Sequence, residues 1–384
     1  MRRLPFFCFL LFLLGCNDPN STLENKAKFP TNTFELTYSI DTVMIDTGED
    51  FVYLNSQLQI SDISSDRKTL YNFNPVSYEI EIIDLDNHIL KEKISFEREG
   101  PNGVGPEHIS KFQLLENGNL CFYNIHKFTI LTPDLQKISS QYFYPEAFEG
   151  DTLPEKAEIE PFYSNLNQEG SKFAGFYDLF FENKTLGIAL IDLETKRLKL
   201  IPTDKLYYLK ELIYTTVFEN GSKINSGDAK SIDFFEEKLI ISTSAKNEVL
   251  VYDIAKDSLW TKSYHSKFLS NIKQGNYKAE SNSDLALKIK DQEVYFNKLA
   301  YDKTSKLFWR YSRESKSNNP ESPSFVYVLT AFDKDLNQIH EEILDVDWTH
   351  IPRIKFIKDG MLYTYINLED ELAFVRLKPK LSKK

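Results

Sequence analysis

The chain has 384 residues, with 46 Lys or Arg against 57 Asp or Glu, for a formal charge of −11. Nucleic acid is excluded as an expected partner, because a phosphate backbone is bound through clustered positive charge. The length allows two domains or one large one, and the repeats described below favour one.

Arg2 and Arg3 precede an apolar run from Leu4 to Leu14 that ends in Leu13-Leu14-Gly15-Cys16. A bilayer-spanning helix needs about 20 apolar residues, so the run predicts the h-region of a signal peptide, residues 1–15. A small residue directly before a cysteine, with Leu three positions before it, resembles a lipobox, although Leu14 is bulkier than the residue commonest at that place. The resemblance implies lipid on the Cys16 thiol. Several acyl chains on one residue meet the requirement for stable anchoring, so the expected location is the cell envelope, on the outer membrane by preference, facing the periplasm or the exterior. Loss of Arg2 and Arg3 with the signal leaves 44 basic and 57 acidic residues, a formal charge of −13.

Residues 16–32 are polar, contain Pro19 and Pro30, and lack apolar periodicity; they predict a flexible tether. From residue 33 to 384 a single β domain is expected. Phe34 to Ile40 alternates with period two, and short runs rich in Ile, Val, Phe and Tyr recur as far as Leu377, separated by Asn, Asp, Gly and Lys clusters. Cys121, in Leu120-Cys121-Phe122-Tyr123, is the one cysteine left after Cys8 and Cys16. It reads as a small buried hydrophobe more readily than as a nucleophile or metal ligand.

The runs repeat as a unit. An apolar strand ending in an Asx or acidic turn recurs at Asp84, Asp134, Asp192, Asp253 and Asp333, spaced 50, 58, 61 and 80 residues apart. Two units are complete as four strands: 109–115, 120–123, 128–132 and 137–143, then 231–235, 238–243, 248–252 and 258–264. A period near the roughly 40 to 50 residues of a propeller blade predicts an all-β, six-bladed β-propeller of four-stranded antiparallel blades. The C-terminal unit, 354–377, is a strand short, and the N-terminal strand 36–45 is expected to complete it and close the ring. A pair of two-sheet sandwiches is the rival architecture.

Glu99-Gly100-Pro101-Asn102-Gly103-Val104-Gly105-Pro106-Glu107-His108, with Ile109 and Phe112, the Asn117-Gly118-Asn119 turn and Leu131-Thr132-Pro133-Asp134-Leu135, resembles a family of uncharacterised bacterial lipoproteins with a six-bladed propeller fold of the TolB-like or NHL-like kind. The match is specific near 97–143 and loose elsewhere; here Glu107 follows Pro106 directly, unlike the simplest form of the family's turn. The resemblance implies fold and anchoring, and no activity.

Gly100–Gly105 lacks the Lys-Ser/Thr ending of a phosphate loop and predicts a tight turn between blades. Asp84-x-Asp86-Asn87 has Ile89 and Ser95 where a calcium loop needs Gly and Glu. The histidines His88, His108, His126, His265, His340 and His350 form no metal-ligand pair, and no nucleophile elbow is present. No metal, cofactor or catalytic residue is expected. Candidate ligand-binding residues are Arg98, His108, Trp309 and Arg310. Leu307-Phe308-Trp309-Arg310-Tyr311-Ser312-Arg313 combines aromatics with fork-shaped cations, and Glu97-Arg98-Glu99 with His108 is a candidate channel-mouth cluster. The alternative for the first is a packed sheet with snorkelling cations, and for the second a solvated set of ion pairs. Two of Arg98, His108 and Arg310 are expected to face one pocket. Pro145–Asn167 and His265–Lys290 read as long rim insertions, the second with a short helix or ordered loop. A binding module for a peptide, glycan or partner protein is the favoured function, and a hydrolase or lyase acting on saccharides or peptides the alternative.

Overall fold

The computed structural model describes residues 34–384 except 219, 276, 278–282, 318, 320, 321, 349 and 350. The expected signal peptide, Cys16 and the expected tether lie outside the described residues.

Among the described residues six antiparallel blades follow one another along the chain, with a separate two-stranded hairpin, Tyr214–Val217 and Lys223–Ser226, between blades 3 and 4. From inner to outer edge, blade 1 is Ser61–Ile63, Thr69–Asn74, Glu79–Asp84 and Ile89–Ser95, and blade 2 is Lys111–Leu114, Leu120–Tyr123, Lys127–Leu131 and Lys137–Tyr142. Blade 3 is Glu158–Leu166, Lys172–Leu179, Lys184–Asp192 and Arg197–Pro202, edged by the short parallel strand Glu149–Gly150. Blade 4 is Lys230–Phe235, Lys238–Thr243, Glu248–Asp253 and Ser258–Ser263. Blade 5 splits its inner edge into Tyr295–Phe296 and Ala300–Asp302, both paired with Leu307–Ser315, and continues with Phe325–Phe332 and Gln338–Leu344. Blade 6 is Ile354–Lys358, Met361–Leu368 and Glu371–Lys383, completed by Phe34–Met44. That N-terminal strand pairs with the C-terminal one from Phe34↔Lys383 to Met44↔Ala373. The first and last described strands are thus joined in one blade, which removes an open inter-blade seam.

Period-two alternation explains the stacking. In Leu120–Tyr123 every residue is buried. Leu120 and Phe122 join Phe73 and Ile80 of blade 1, while Cys121 and Tyr123 join Phe173 and Ile191 of blade 3. A middle strand covered on both faces therefore reads as a continuous apolar run. Outer strands such as Ile89–Ser95 carry exposed charge instead. Burial pushes the Cys121 thiol up to about 12, which leaves it inert.

Four of the five recurrent aspartates accept the N–H groups of the turns between third and fourth strands; in blade 2 the Thr132 hydroxyl takes that place beside Asp134, accepting the Gln136 N–H at 2.9 Å. Asp84 accepts the N–H groups of Asp86 and Asn87 at 2.8 and 2.9 Å; Asp192 accepts that of Thr195, Asp253 that of Lys256, and Asp333 those of Asp335 and Asn337. His88, Lys196 and Asp257 each sit four residues after the lead aspartate with φ between 50° and 57°, closing the hairpin in the left-handed region. The glycine-rich segment is the expected inter-blade turn: Gly105 N–H donates to Arg98 O at 2.9 Å, and a Cβ on Gly103 would lie 2.6 Å from the Glu99 backbone.

One of the two expected insertions needs correction. Pro145–Asn167 holds a 3₁₀ turn, Pro145–Ala147, then the edge strand of blade 3 and its entire inner strand. Pro161 interrupted the alternation because it lies at an irregularity, where the pairing jumps from Glu160 to Asn165. The second segment does hold a helix, Ser283–Gln292, and is fixed to the ring: Lys273 and Lys290 both reach Asp228, which also accepts the Ser244 hydroxyl at 2.9 Å.

Candidate functional site: the central channel

The inner strands line a cavity of about 660 Å³, within the ordinary range for small-ligand sites. Five cations, Lys111, Lys230, Lys298, Arg353 and Lys355, share its wall with the carboxylates Asp62 and Asp233. A second cavity of about 660 Å³ shares Asp233, Lys298 and Lys355 with the first, and a third of about 810 Å³ shares Arg353 and Lys355. Lys355 therefore lines all three.

Polar bonds pass from blade to blade around this wall. Asp62 of blade 1 accepts the Leu114 N–H of blade 2 at 2.9 Å. Lys111 of blade 2 donates to Ser164 O and Asn165 Oδ1 of blade 3, and Gln113 donates to Leu166 O at 2.8 Å. Asn165 donates to Ile232 O and Asp233 of blade 4. Asp233 holds Lys298 of blade 5 at 3.1 Å, and Asn297 donates to Pro352 O, beside blade 6, at 2.8 Å. Lys230 is also tied down, by Asp178 and by Glu160 at 3.0 Å.

The electrostatics follow from that arrangement. Burial, with repulsion from Lys298, brings the Lys111 ammonium down to about 8. Burial raises the Asp62 carboxyl against two backbone N–H donors. Lys298 is raised chiefly by Asp233, and its side chain is 55% open to the lumen. Lys355 has no hydrogen-bond or ion-pair partner among the described residues; burial, reinforced by Arg353 and Lys298, brings its ammonium down to about 7. Arg353 meets the Tyr295 hydroxyl and no carboxylate among the described residues. Burial pushes the Tyr163 hydroxyl up to about 12, so it stays a donor. Phe162, in the same irregular stretch of blade 3, is 47% exposed in the cavity.

The residues nominated from sequence are not brought together, and none lines these cavities. Arg98 and His108 are exposed in the loop between blades 1 and 2, where the Arg98 guanidinium donates to Pro106 O at 2.9 Å and covers the Tyr78 ring. Arg310 and Trp309 point to opposite faces of one strand and are 2% and 1% exposed. Trp309 packs in the core between blades 5 and 6. Arg310 donates to Asn247 and lies 5.0 to 5.5 Å from the ring centres of Phe296, Phe332 and Tyr264. The expected meeting of two of Arg98, His108 and Arg310 in one pocket fails: Arg98 and His108 stand on an exposed loop and Arg310 is turned into the wedge between blades 4 and 5, so none of the three lines these cavities, although Phe308 and Arg313 of Arg310's own strand do. Among the described residues no group of three or more His, Cys, Asp or Glu could hold a metal, and no helix is long and apolar enough to cross a membrane.

Fold and channel define a six-bladed β-propeller with a cation-rich lumen. Residues 33–343 match a domain family described as of unknown function, DUF4221, and the chain belongs to that family. A crystal structure of a DUF4221 member from Bacteroides vulgatus ATCC 8482 is similar over 92% of this chain and 99% of that one, at 17% identity and a TM-score of 0.63. A protein described as exported, from Bacteroides fragilis NCTC 9343, is similar over 93% and 98%, at 10% identity and a TM-score of 0.52. At these identities the likeness concerns the fold. No curated protein matches the sequence.

Proposed function

We propose that this protein is a lipid-anchored binding module of the cell envelope, tethered to the outer membrane through Cys16, whose channel receives a peptide, a glycan or an exposed segment of a partner protein. The observation that carries the reading is the convergence of polar inner-strand groups from all six blades on cavities of ligand size, beside the half-exposed ring of Phe162. Chemistry on saccharides or peptides would need free carboxylates or histidines. In the cavity that holds Phe162, Asp62 and Asp233 are both engaged, and no histidine lines it.

The test is an array of envelope glycans and peptides probed with the full chain and with Phe162→Ala and Lys355→Met. A ligand whose retention drops in either variant supports the channel. Ligands retained equally by all three proteins put the site elsewhere. The anchor is tested separately by cell fractionation: Cys16→Ser is expected to leave the membrane fraction or remain unprocessed, and unchanged detergent partitioning with a normal mature N-terminus contradicts it.

A further inference from the structure

The chain of inter-blade polar bonds has one loose end. The other three lysines of the first cavity are held: Lys111 by Ser164 and Asn165, Lys230 by Asp178 and Glu160, Lys298 by Asp233. Lys355 has no hydrogen-bond or ion-pair partner among the described residues, and its backbone shows why it is aimed differently. Pairing along the inner edge of blade 6 runs Ile354↔Thr364 and then Phe356↔Tyr363, so Lys355 is the extra residue of a β-bulge. A bulge re-aims one side chain at the cost of a ladder position. Here it presents an ammonium to all three cavities, two residues from the fork of Arg353.

We propose that Lys355 and Arg353 form a receptor site for an oxyanion, a carboxylate or a phosphate, carried by a ligand held in the cavity that also contains Phe162 and Tyr163. An ammonium without a counter-charge is costly in a cavity ringed by protein, and an anion entering beside it removes that cost. A guanidinium matches either oxyanion with two parallel N–H donors. The Tyr295 and Tyr163 hydroxyls stand at the same wall as further donors. The channel's own carboxylates do not compete, since Asp62 accepts backbone N–H groups and Asp233 accepts Lys298. The surface carries a formal charge of −13 once residues 1–15 are gone, so a cationic lumen selects anions that can enter it and find this one site. The inference rests on the channel being the binding site.

Calorimetric titration of the full chain with glucuronate, inorganic phosphate and glucose tests it, alongside Lys355→Met. Glucuronate, phosphate or both are expected to bind at least tenfold more tightly than glucose, and Lys355→Met is expected to lose at least tenfold. Glucuronate keeps its charge between pH 6 and 8, so its affinity should fall about tenfold over that interval as Lys355 loses its proton. Binding of phosphate alone identifies a phosphate ester as the natural group, and binding of glucuronate alone an acidic saccharide or other carboxylate. If neither anion binds, or if Lys355→Met binds both as tightly as the parent, the inference is overturned. A neutral glycan retained through Phe162 and indifferent to Lys355 would preserve the binding-module reading while rejecting the oxyanion site.

Discussion

Two cations buried in this ring show opposite designs. Arg310 sits in the wedge between blades 4 and 5, bonded to Asn247 and enclosed by Tyr264, Phe296 and Phe332. Lys355 sits at the lumen with no hydrogen-bond or ion-pair partner among the described residues. Burial depresses both groups, Arg310 to about 10 and Lys355 to about 7. In the wedge the protein has already supplied neutral dipoles and ring faces, so the cation is part of the packing. At the lumen it has supplied repulsion from Arg353 and Lys298, so the compensating charge has to come from outside. Burial of a charged group alone therefore does not mark a site; burial without compensation, beside open volume, does.

The contrast predicts the largest effect at Arg310. Arg310→Ala removes a filled, ring-enclosed side chain and is expected to lower unfolding stability by about 3 kcal/mol, read from the denaturant midpoint, with glucuronate affinity in the folded protein little changed. A loss of affinity without loss of stability would break the comparison. Lys355→Met should do the reverse, abolishing anion binding while raising stability near neutral pH by about 1 kcal/mol, a discounted figure because the lumen contains water.

The pH dependence of that second difference is fixed in sign. The folded-state pKa of Lys355, about 7, lies below the ordinary lysine value. Its penalty is present in full below pH 7, and between there and the ordinary range the unfolded chain binds more protons. The parent should therefore gain stability relative to Lys355→Met as pH rises through that window, measured as paired denaturation curves. Asp233→Asn sharpens the picture by releasing Lys298 as a second uncompensated cation. It is expected to tighten glucuronate binding roughly fivefold, worth about 1 kcal/mol. The smallest effects belong to the exposed pair: Arg98→Ala and His108→Ala should each change stability by no more than about 0.5 kcal/mol and leave anion binding as it was.

Much of the ring was legible because its causes are local. Strand alternation, the turn aspartates Asp84, Asp192, Asp253 and Asp333, and the missing strand at the C-terminus are all readable within a few residues of themselves. The closure of blade 6 by Phe34–Met44 followed from counting strands. The inner strand of blade 3 was hidden, because Pro161 and the irregular pairing after Glu160 erase period-two alternation over its middle. The channel was hidden for another reason. Asp62, Lys111, Asn165, Asp233, Lys298 and Lys355 lie far apart in the chain, each in an unremarkable run such as Ile232-Asp233-Phe234 or Ile354-Lys355-Phe356. Only the ring brings them to one wall. The densest aromatic and cationic run, around Trp309-Arg310, marks instead a strand on which two inter-blade cores meet. Aligning the four-strand units and asking which first strands carry a polar residue between apolar neighbours would have found the lumen.

The central claim is that Lys355 is an uncompensated cation whose missing partner is an anion. Its ammonium can be followed by NMR in protein carrying ¹³C at the lysine ε-carbon, with Lys355→Met identifying the resonance. The account predicts a midpoint near 7 without ligand, rising by at least one unit when glucuronate or phosphate is added and staying in place with glucose. A midpoint in the ordinary lysine range, or one that no anion moves, would contradict it.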